Sequence, residues 1–492
     1  MADESSSEKA LSDTATTVAT NEEESSRGHI DVSALQIHYN PARSSLPPLN
    51  TLRFGHTFTD HMLTIDYDAE QGWHAPVISP FGSLTIHPAS TVLHYAVECF
   101  EGAKVFKNKD GVISEFRLKD NLRRFAKSIK RSGVAEMDEA DENALYELIR
   151  ELVLLDSNLV PDEYGYSLYL RPTFIGTEPS LEVAAGSKGK LFVICSPVGP
   201  FFPCGFKPVS LLACTRNVRA WPGGSGGHKV GSNYGPTLMP AKMASEEGFT
   251  QILWLLPLRN EDGELKHHIT EVGSMNVFFV FKRDDNGGGI EVATPPTKDI
   301  ILPGITRDSV LKILRNDTNL EVSERDVTME ELLERYQRGE VMEIFGTGTA
   351  AIVCPVKSVT YEDVEMKIPI DEAIGAGPMC RRILDEAAGQ SRADRPEGIK
   401  KVEHVIQMVP KRAEKVHIRQ NECLTEFDDL PHGRKIVVDE GRHAPWPRAF
   451  RPAKEMSLEE TIGGRRRVAT VKERRNGLPV VAEGDKLYKH PE

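Results

Sequence analysis

No run of apolar residues in this 492-residue chain approaches the ~20 that a helix needs to cross a bilayer, so an ordinary helical span is excluded. No Cys-x-x-Cys pair occurs. The seven cysteines (Cys99, Cys195, Cys204, Cys214, Cys354, Cys380 and Cys423) are scattered, odd in number and mostly set in apolar, strand-like runs. That argues against a structural zinc, a redox dithiol or a disulfide framework, and fits buried thiols in a reducing compartment. No GxxxxGK[ST] is present, so a P-loop is not expected. Basic excess is missing as well. The net charge of −13 and pI of about 5.7 argue against nucleic acid or an anionic membrane as main partner. The first residues lack an apolar stretch, carry Asp3, Glu4 and Glu8, and hold no arginine before Arg27. A secretory signal needs the former and a mitochondrial presequence avoids such acids, so residues 1–45 read as an acidic disordered tail of a cytoplasmic protein.

An apolar fraction of 39% with 27% charged residues is that of a globular protein, and the length allows two or three domains with sizeable cores. Residues 84–106 are expected to run from strand into helix and back into strand. Residues 115–136 are basic and helical in period, and 144–160 form an amphipathic helix. Strands are expected at 166–172 and 190–197. Residues 46–197 then form a small α/β domain. The Pro/Gly-rich segment 198–206 reads as a connector. Residues 207–390 alternate strands with short helices and form a larger domain, an α/β or α+β arrangement. After Gln390 the texture changes. Residues 391–492 hold 22 Lys and Arg against 17 Asp and Glu, are polar and weakly periodic, and read as a divergent basic tail, loosely attached or disordered.

The segment Gly226-Gly227-His228-Lys229-Val230-Gly231-Ser232-Asn233-Tyr234 carries the most chemistry. Glycines allow a flat ligand close to the backbone. A lysine walled off from water loses its proton more readily and can form a Schiff base with an aldehyde cofactor. A Gly-rich surface turn with a solvated lysine is the alternative. Glu271 precedes an apolar strand, apparently at the end of a turn, where a carboxylate can hold a pyridinium proton; an exposed strand-end glutamate reads the same. Leu302-Pro303-Gly304-Ile305-Thr306 opens a helix whose free amides suit a phosphate, or is a plain helix start. Phe345-Gly346-Thr347-Gly348-Thr349-Ala350 follows a short strand. It is a weak match to the dinucleotide fingerprint and equally a loop for one phosphate. Arg124 lies in a basic helix that could be a solvated face. Arg171 interrupts an apolar strand, where a carboxylate ligand or an internal ion pair would satisfy it. No metal site is expected.

Seven motifs in order, FGHTFTDHM (54–62), HPASTVLHYAVECFEG (87–102), YLRPTFIGTEPSLEV (169–183), GGHKVGSNYGPT (226–237), TEVGSMNVF (270–278), ILPGITRDS (301–309) and FGTGTA (345–350), resemble the branched-chain amino-acid aminotransferases. These are fold-type IV pyridoxal 5′-phosphate enzymes with two domains and the active site between them. The resemblance covers residues 50–390. It implies that Lys229 forms the Schiff base and shuttles the substrate proton, that Glu271 binds the pyridine nitrogen, and that Tyr234 bonds the phenolic oxygen. It implies a phosphate held by Arg124, the backbone of Ile305 and Thr306, and Thr349. Phe54, Tyr95, Phe100 and Tyr169 would wall a pocket for leucine, isoleucine and valine. Ser274 and the Ala350 backbone would receive the α-carboxylate, and Arg171 the side-chain carboxylate of glutamate or 2-oxoglutarate. A homodimer is implied, with Leu181 and Val183 near the partner's active site.

Some positions depart from the family pattern. Ala351 stands where animal members have the first cysteine of a redox pair that Cys354 would complete, so no thiol switch is expected. Phe201 replaces a connector tyrosine and Ser274 a common threonine. The tail after Gln390 replaces the usual closing aromatic segment. Two rival functions follow: a fold-type IV enzyme for another substrate, such as a D-amino-acid transaminase or lyase, or a non-catalytic pyridoxal-phosphate protein inactivated by its altered C-terminus.

Overall fold

The computed structural model describes residues 28–199, 207–283 and 288–390, with strand segments between 405 and 488. The expectations for residues 1–27, for residues 200–206 of the connector and for residues 391–492 as a whole lie outside the described residues.

The first sheet runs in the order Ile113–Phe116, Ala103–Lys107, Ser167–Gly176, Lys188–Val198, His61–Asp68, Val77–Pro80 and Gln36–Ile37. Its neighbours are antiparallel except for the last pair. Two helices pack on it. In Leu118–Ser132 the buried Leu118, Leu122, Phe125 and Ile129 recur at three-to-four spacing, which turns one stripe to the core and leaves every lysine and arginine of the helix outside except Arg124. The helix stops at Gly133, whose φ of 76° only glycine adopts without strain. In Glu139–Leu155, Asp138 accepts from the Asp141 amide while the Asp141 side chain accepts from the Asp138 amide, a reciprocal cap.

The second sheet closes on itself. Val209–Cys214 pairs with Gln251–Arg259, which pairs with Leu265–Val272 and that with Met275–Lys282. Met275–Lys282 pairs with Val341–Gly348, that with Ile352–Tyr361, and Ile352–Tyr361 returns to Val209–Cys214. Near-continuous apolar runs such as Val277–Phe281 are buried on both faces, Val277, Phe279 and Phe281 in one core and Phe278 and Val280 in another with the helix Ile305–Arg315.

Three sequence expectations need correction. Residues 84–89 form no strand; a loop containing Pro88 leads into the short helix Thr91–Tyr95. The ordered core starts before residue 46, because Ile30, Leu35 and Ile37 are buried in it. Those few apolar residues, in a polar stretch with a two-residue strand, give no readable period. The expected strand at 343–345 continues, and residues 346–348 are strand rather than loop. Val341–Gly348 turns at Thr349–Ala351 straight into Ile352–Tyr361, so no helix follows and the dinucleotide reading falls.

Candidate active site

The lysine segment has almost no regular structure and is held by the first core. Ser128 Oγ accepts from the Lys229 amide, the Phe100 amide donates to the Lys229 carbonyl, and Val230 is buried among the first-core residues. Its glycines have a steric reason. A Cβ on Gly226 would strike the Ile300 carbonyl, and one on Gly231 the Glu98 carboxyl. Lys229 Nζ donates to the Tyr234 hydroxyl at 3.2 Å and stands 4.7 Å from the centre of the Phe100 ring. It is part-buried, so the solvated-turn reading does not hold.

Period-two geometry assembles the neighbours of Phe100. Glu98–Phe100 runs antiparallel to Ser167–Gly176 with Phe100 opposite Thr173, which puts Arg171, two residues earlier, on the same face. The Arg171 guanidinium lies 4.8 Å from the Phe100 ring centre and donates to the Tyr169 hydroxyl at 3.1 Å. Arg171 Nε is buried without a hydrogen bond, and among the described residues no carboxylate pairs with Arg171. The internal ion pair weighed from sequence is therefore absent there. Phe54 packs edge-on against Tyr169, with ring centres 4.8 Å apart.

Glu271 sits in the strand Leu265–Val272, before the turn at Gly273 rather than after one. It is 2% exposed, not a solvated strand end. Its carboxylate accepts from the Leu302 amide at 2.9 Å and pairs with Arg219 Nε at 3.1 Å. Burial pushes this carboxyl up, while Arg219, the Leu302 amide, Lys229 and Arg124 pull it back. Arg124 is buried too. Glu101, fully buried, takes its Nε at 2.6 Å and Nη2 at 2.9 Å, and the Pro303 carbonyl accepts from Nη1. Of five guanidinium N–H groups, two remain for a ligand. The helix Ile305–Arg315 begins at Gly304, which has no side chain to cap it, so the first amides carry no side-chain partner.

A narrow cleft opens between the two sheets, lined by Lys104, Asn121, Ile305, Thr306, Thr349 and Ile352 among others. The Ala350 carbonyl accepts from Lys104 Nζ at 2.9 Å. Ser274 is exposed at the Gly273 turn. Tyr95, 38% exposed, donates to the Leu181 carbonyl, and Leu181 and Val183 are 65% and 85% exposed. These three form an outer patch. Cys354 is buried and its thiol is pushed up to about 12.

Sequence reasoning missed Glu101, Arg219 and Lys104. Glu101 had a signal, an acid directly after an apolar run. Arg219 follows no periodicity that could have marked it.

These donors suit pyridoxal 5′-phosphate: a part-buried amine beside a phenol, a buried carboxylate, an uncapped helix start and an arginine with N–H groups to spare. Residues 98–359 match the model of the family described as amino-transferase class IV, whose members are pyridoxal-phosphate enzymes. The branched-chain-amino-acid aminotransferase of Dictyostelium discoideum is 46% identical over 335 residues, 68% of this chain and 85% of its own. The cytosolic enzyme of that name from Mus musculus is 46% identical over 327 residues, covering 66% and 82%. Among solved structures, the branched-chain aminotransferase from Thermoproteus uzoniensis with norvaline superposes with a TM-score of 0.52 at 20% identity, covering 70% of this chain and 99% of that one. That likeness speaks for the fold alone. The chain belongs to the branched-chain-amino-acid aminotransferase family.

Proposed function

We propose that this enzyme moves the amino group between L-leucine, L-isoleucine or L-valine and 2-oxoglutarate in two half-reactions at one site. The observation that carries this is the Phe100 ring with Lys229 Nζ and the Arg171 guanidinium both against it. An apolar wall beside the reactive amine suits a branched side chain, and a guanidinium with no carboxylate in salt-bridge contact among the described residues, Glu98 acting on it only from further off, suits a dicarboxylate. One pocket thereby serves both substrates. The D-amino-acid, lyase and non-catalytic readings are not favoured by the relatives.

Pyridoxal phosphate, bound through its aldehyde carbon, supplies the ring into which electrons from the substrate Cα–H bond spread. Lys229 would hold it until the substrate amine displaces Nζ, and the freed amine would then accept the substrate Cα proton and give it back. Tyr234 orients Nζ through its hydroxyl. Glu271, paired with Arg219, keeps a proton on the ring nitrogen. Arg124, the amides of Ile305 and Thr306, and Thr349 hold the phosphate. The Ala350 turn and Ser274 receive the α-carboxylate, with Tyr95, Tyr169 and Phe54 around the side chain. Tyr95, Leu181 and Val183 expose apolar surface that a second copy of the chain covers, so the working form is a homodimer. Its compartment is the cytosol. Among the described residues no helix is long and apolar enough to cross a membrane.

Absorbance of the purified protein tests the reading. A band near the visible edge should shift on adding leucine and return with 2-oxoglutarate, and Lys229→Ala should lack both changes. A band indifferent to leucine would overturn the substrate assignment.

A further inference from the structure

Lys104 lies on the strand Ala103–Lys107, directly opposite Tyr169, and so on the face of the first sheet that bears Tyr169 and Arg171. Its ammonium crosses to the second sheet and donates to the Ala350 carbonyl at 2.9 Å. No carboxylate pairs with Lys104 among the described residues, and Ala350 O is its one hydrogen-bond partner there. A carbonyl satisfies one of three N–H groups and leaves the charge without a counter-ion in a site poor in water. A methionine would fill the same space at less cost, so a structural role alone does not account for a lysine here. The cleft it lines also holds Thr349, Thr306 and the uncapped start of the helix Ile305–Arg315.

The turn itself is open. Among the described residues the amides of Ala350 and Ala351 have no hydrogen-bond partner. A trans peptide is planar, with its carbonyl and the following N–H pointing in opposite directions. Fixing the Ala350 carbonyl against Lys104 therefore also fixes the direction of the Ala351 N–H.

We propose that Lys104 is a positioning residue for substrate carboxylate: it clamps the Ala350 peptide so that the turn presents its free amides to the anion, and it brings a positive charge to that turn. This rests on the reading that the Thr349–Ala351 turn receives the α-carboxylate. Burial lowers the Lys104 ammonium to about 8, and a carboxylate bound beside it would favour the charged form again.

The test uses the full-length holoenzyme and two unreactive probes, 4-methylpentanoate and its neutral amide, with binding read from the cofactor absorbance. Lys104→Met should weaken 4-methylpentanoate about tenfold or more, the usual worth of a hydrogen bond from a charged group, and leave the amide unchanged. The KM of leucine and of 2-oxoglutarate should rise in step, kcat should stay within about twofold, and Lys104→Arg should restore most of the loss. Equal weakening of both probes would make Lys104 a brace between the sheets and overturn the proposal, as would no weakening of either. A wild-type enzyme that ignores leucine would instead sink the parent reading, and this one with it. Wild-type turnover with an unaffected Lys104→Met sinks this one alone.

Discussion

Arg219 Nε stands 3.1 Å from the Glu271 carboxylate, and each side chain is 2% exposed. The carboxylate that faces the candidate cofactor position is thus one half of a buried ion pair. Removing one member of such a pair costs about 3 to 5 kcal/mol, because the other is left charged in the interior. Arg219→Met should destabilise the fold by that order in thermal unfolding. Arg219 also heads the charges that hold the Glu271 carboxyl down, so without it the carboxyl takes up a proton at higher pH. The acid limb of kcat should move to higher pH, and Arg219→Met/Glu271→Gln should regain stability without regaining turnover. An unmoved acid limb in Arg219→Met would show that the pair does not set the state of Glu271.

On the proposed reading Arg171 serves 2-oxoglutarate and not leucine. Arg171→Leu should raise the KM for 2-oxoglutarate about 10- to 100-fold, the worth of a charge-assisted contact, while leucine stays within about threefold. Steady-state kinetics with each substrate varied in turn decides it. Equal losses on both would mean that Arg171 only supports Phe100 and Tyr169.

How much of this could be read in the sequence differs from residue to residue. The helix Leu118–Ser132 was legible because burial on one face imposes a period, and the strand Ser167–Gly176 because burial on both faces asks for a continuous apolar run. Arg171 was legible for the opposite reason, as a charge that interrupts such a run. Arg124 was not, because a buried arginine among exposed ones in a helix has the same letters as a solvated face. Its state depends on Glu101, 23 positions earlier, and such pairings follow the topology rather than any local pattern. The strand character of Gly346–Gly348 was hidden because glycine and threonine suggest a turn. There the ladder to Ile352–Pro355 on one side and Asn276–Phe278 on the other overrides local preference.

Gly102 lies against Tyr169 so closely that an added Cβ would fall on the phenol oxygen. Gly102→Ala should cost about 1 to 3 kcal/mol through overpacking. It should also weaken 2-oxoglutarate binding, because Tyr169 carries a hydrogen bond from Arg171. Calorimetry and the KM for 2-oxoglutarate read the two effects. A stable variant with normal kinetics would mean that Tyr169 has room to move.

Glu115 gives a pH signature away from the site. It is 2% exposed, its Oε1 accepts from Tyr146 at 2.7 Å, and its Oε2 has no partner. Burial raises its pKa from 4.5 to about 7, against the pull of Tyr146, Arg150 and Lys119 and with a push from Glu147. The folded state therefore binds this proton more tightly than the unfolded one. The stabilisation is complete below about pH 4.5 and is lost as pH rises through 7. Glu115→Gln should change little at pH 5 and stabilise the protein at pH 8, by at most about 3 kcal/mol. Identical shifts in melting temperature at the two pH values would exclude a titrating Glu115.

The ring of the second sheet is joined by the strand Ile352–Tyr361, which lies between Val209–Cys214 and Val341–Gly348. Order of synthesis then matters. The first sheet's principal strands and both helices on it are complete once Val198 has left the ribosome, and domains made first generally fold first. Lys229 follows soon after, yet its barrel stays open until Tyr361 emerges. The nascent chain carries its reactive amine through more than a hundred further residues of translation before the last wall of the site is in place.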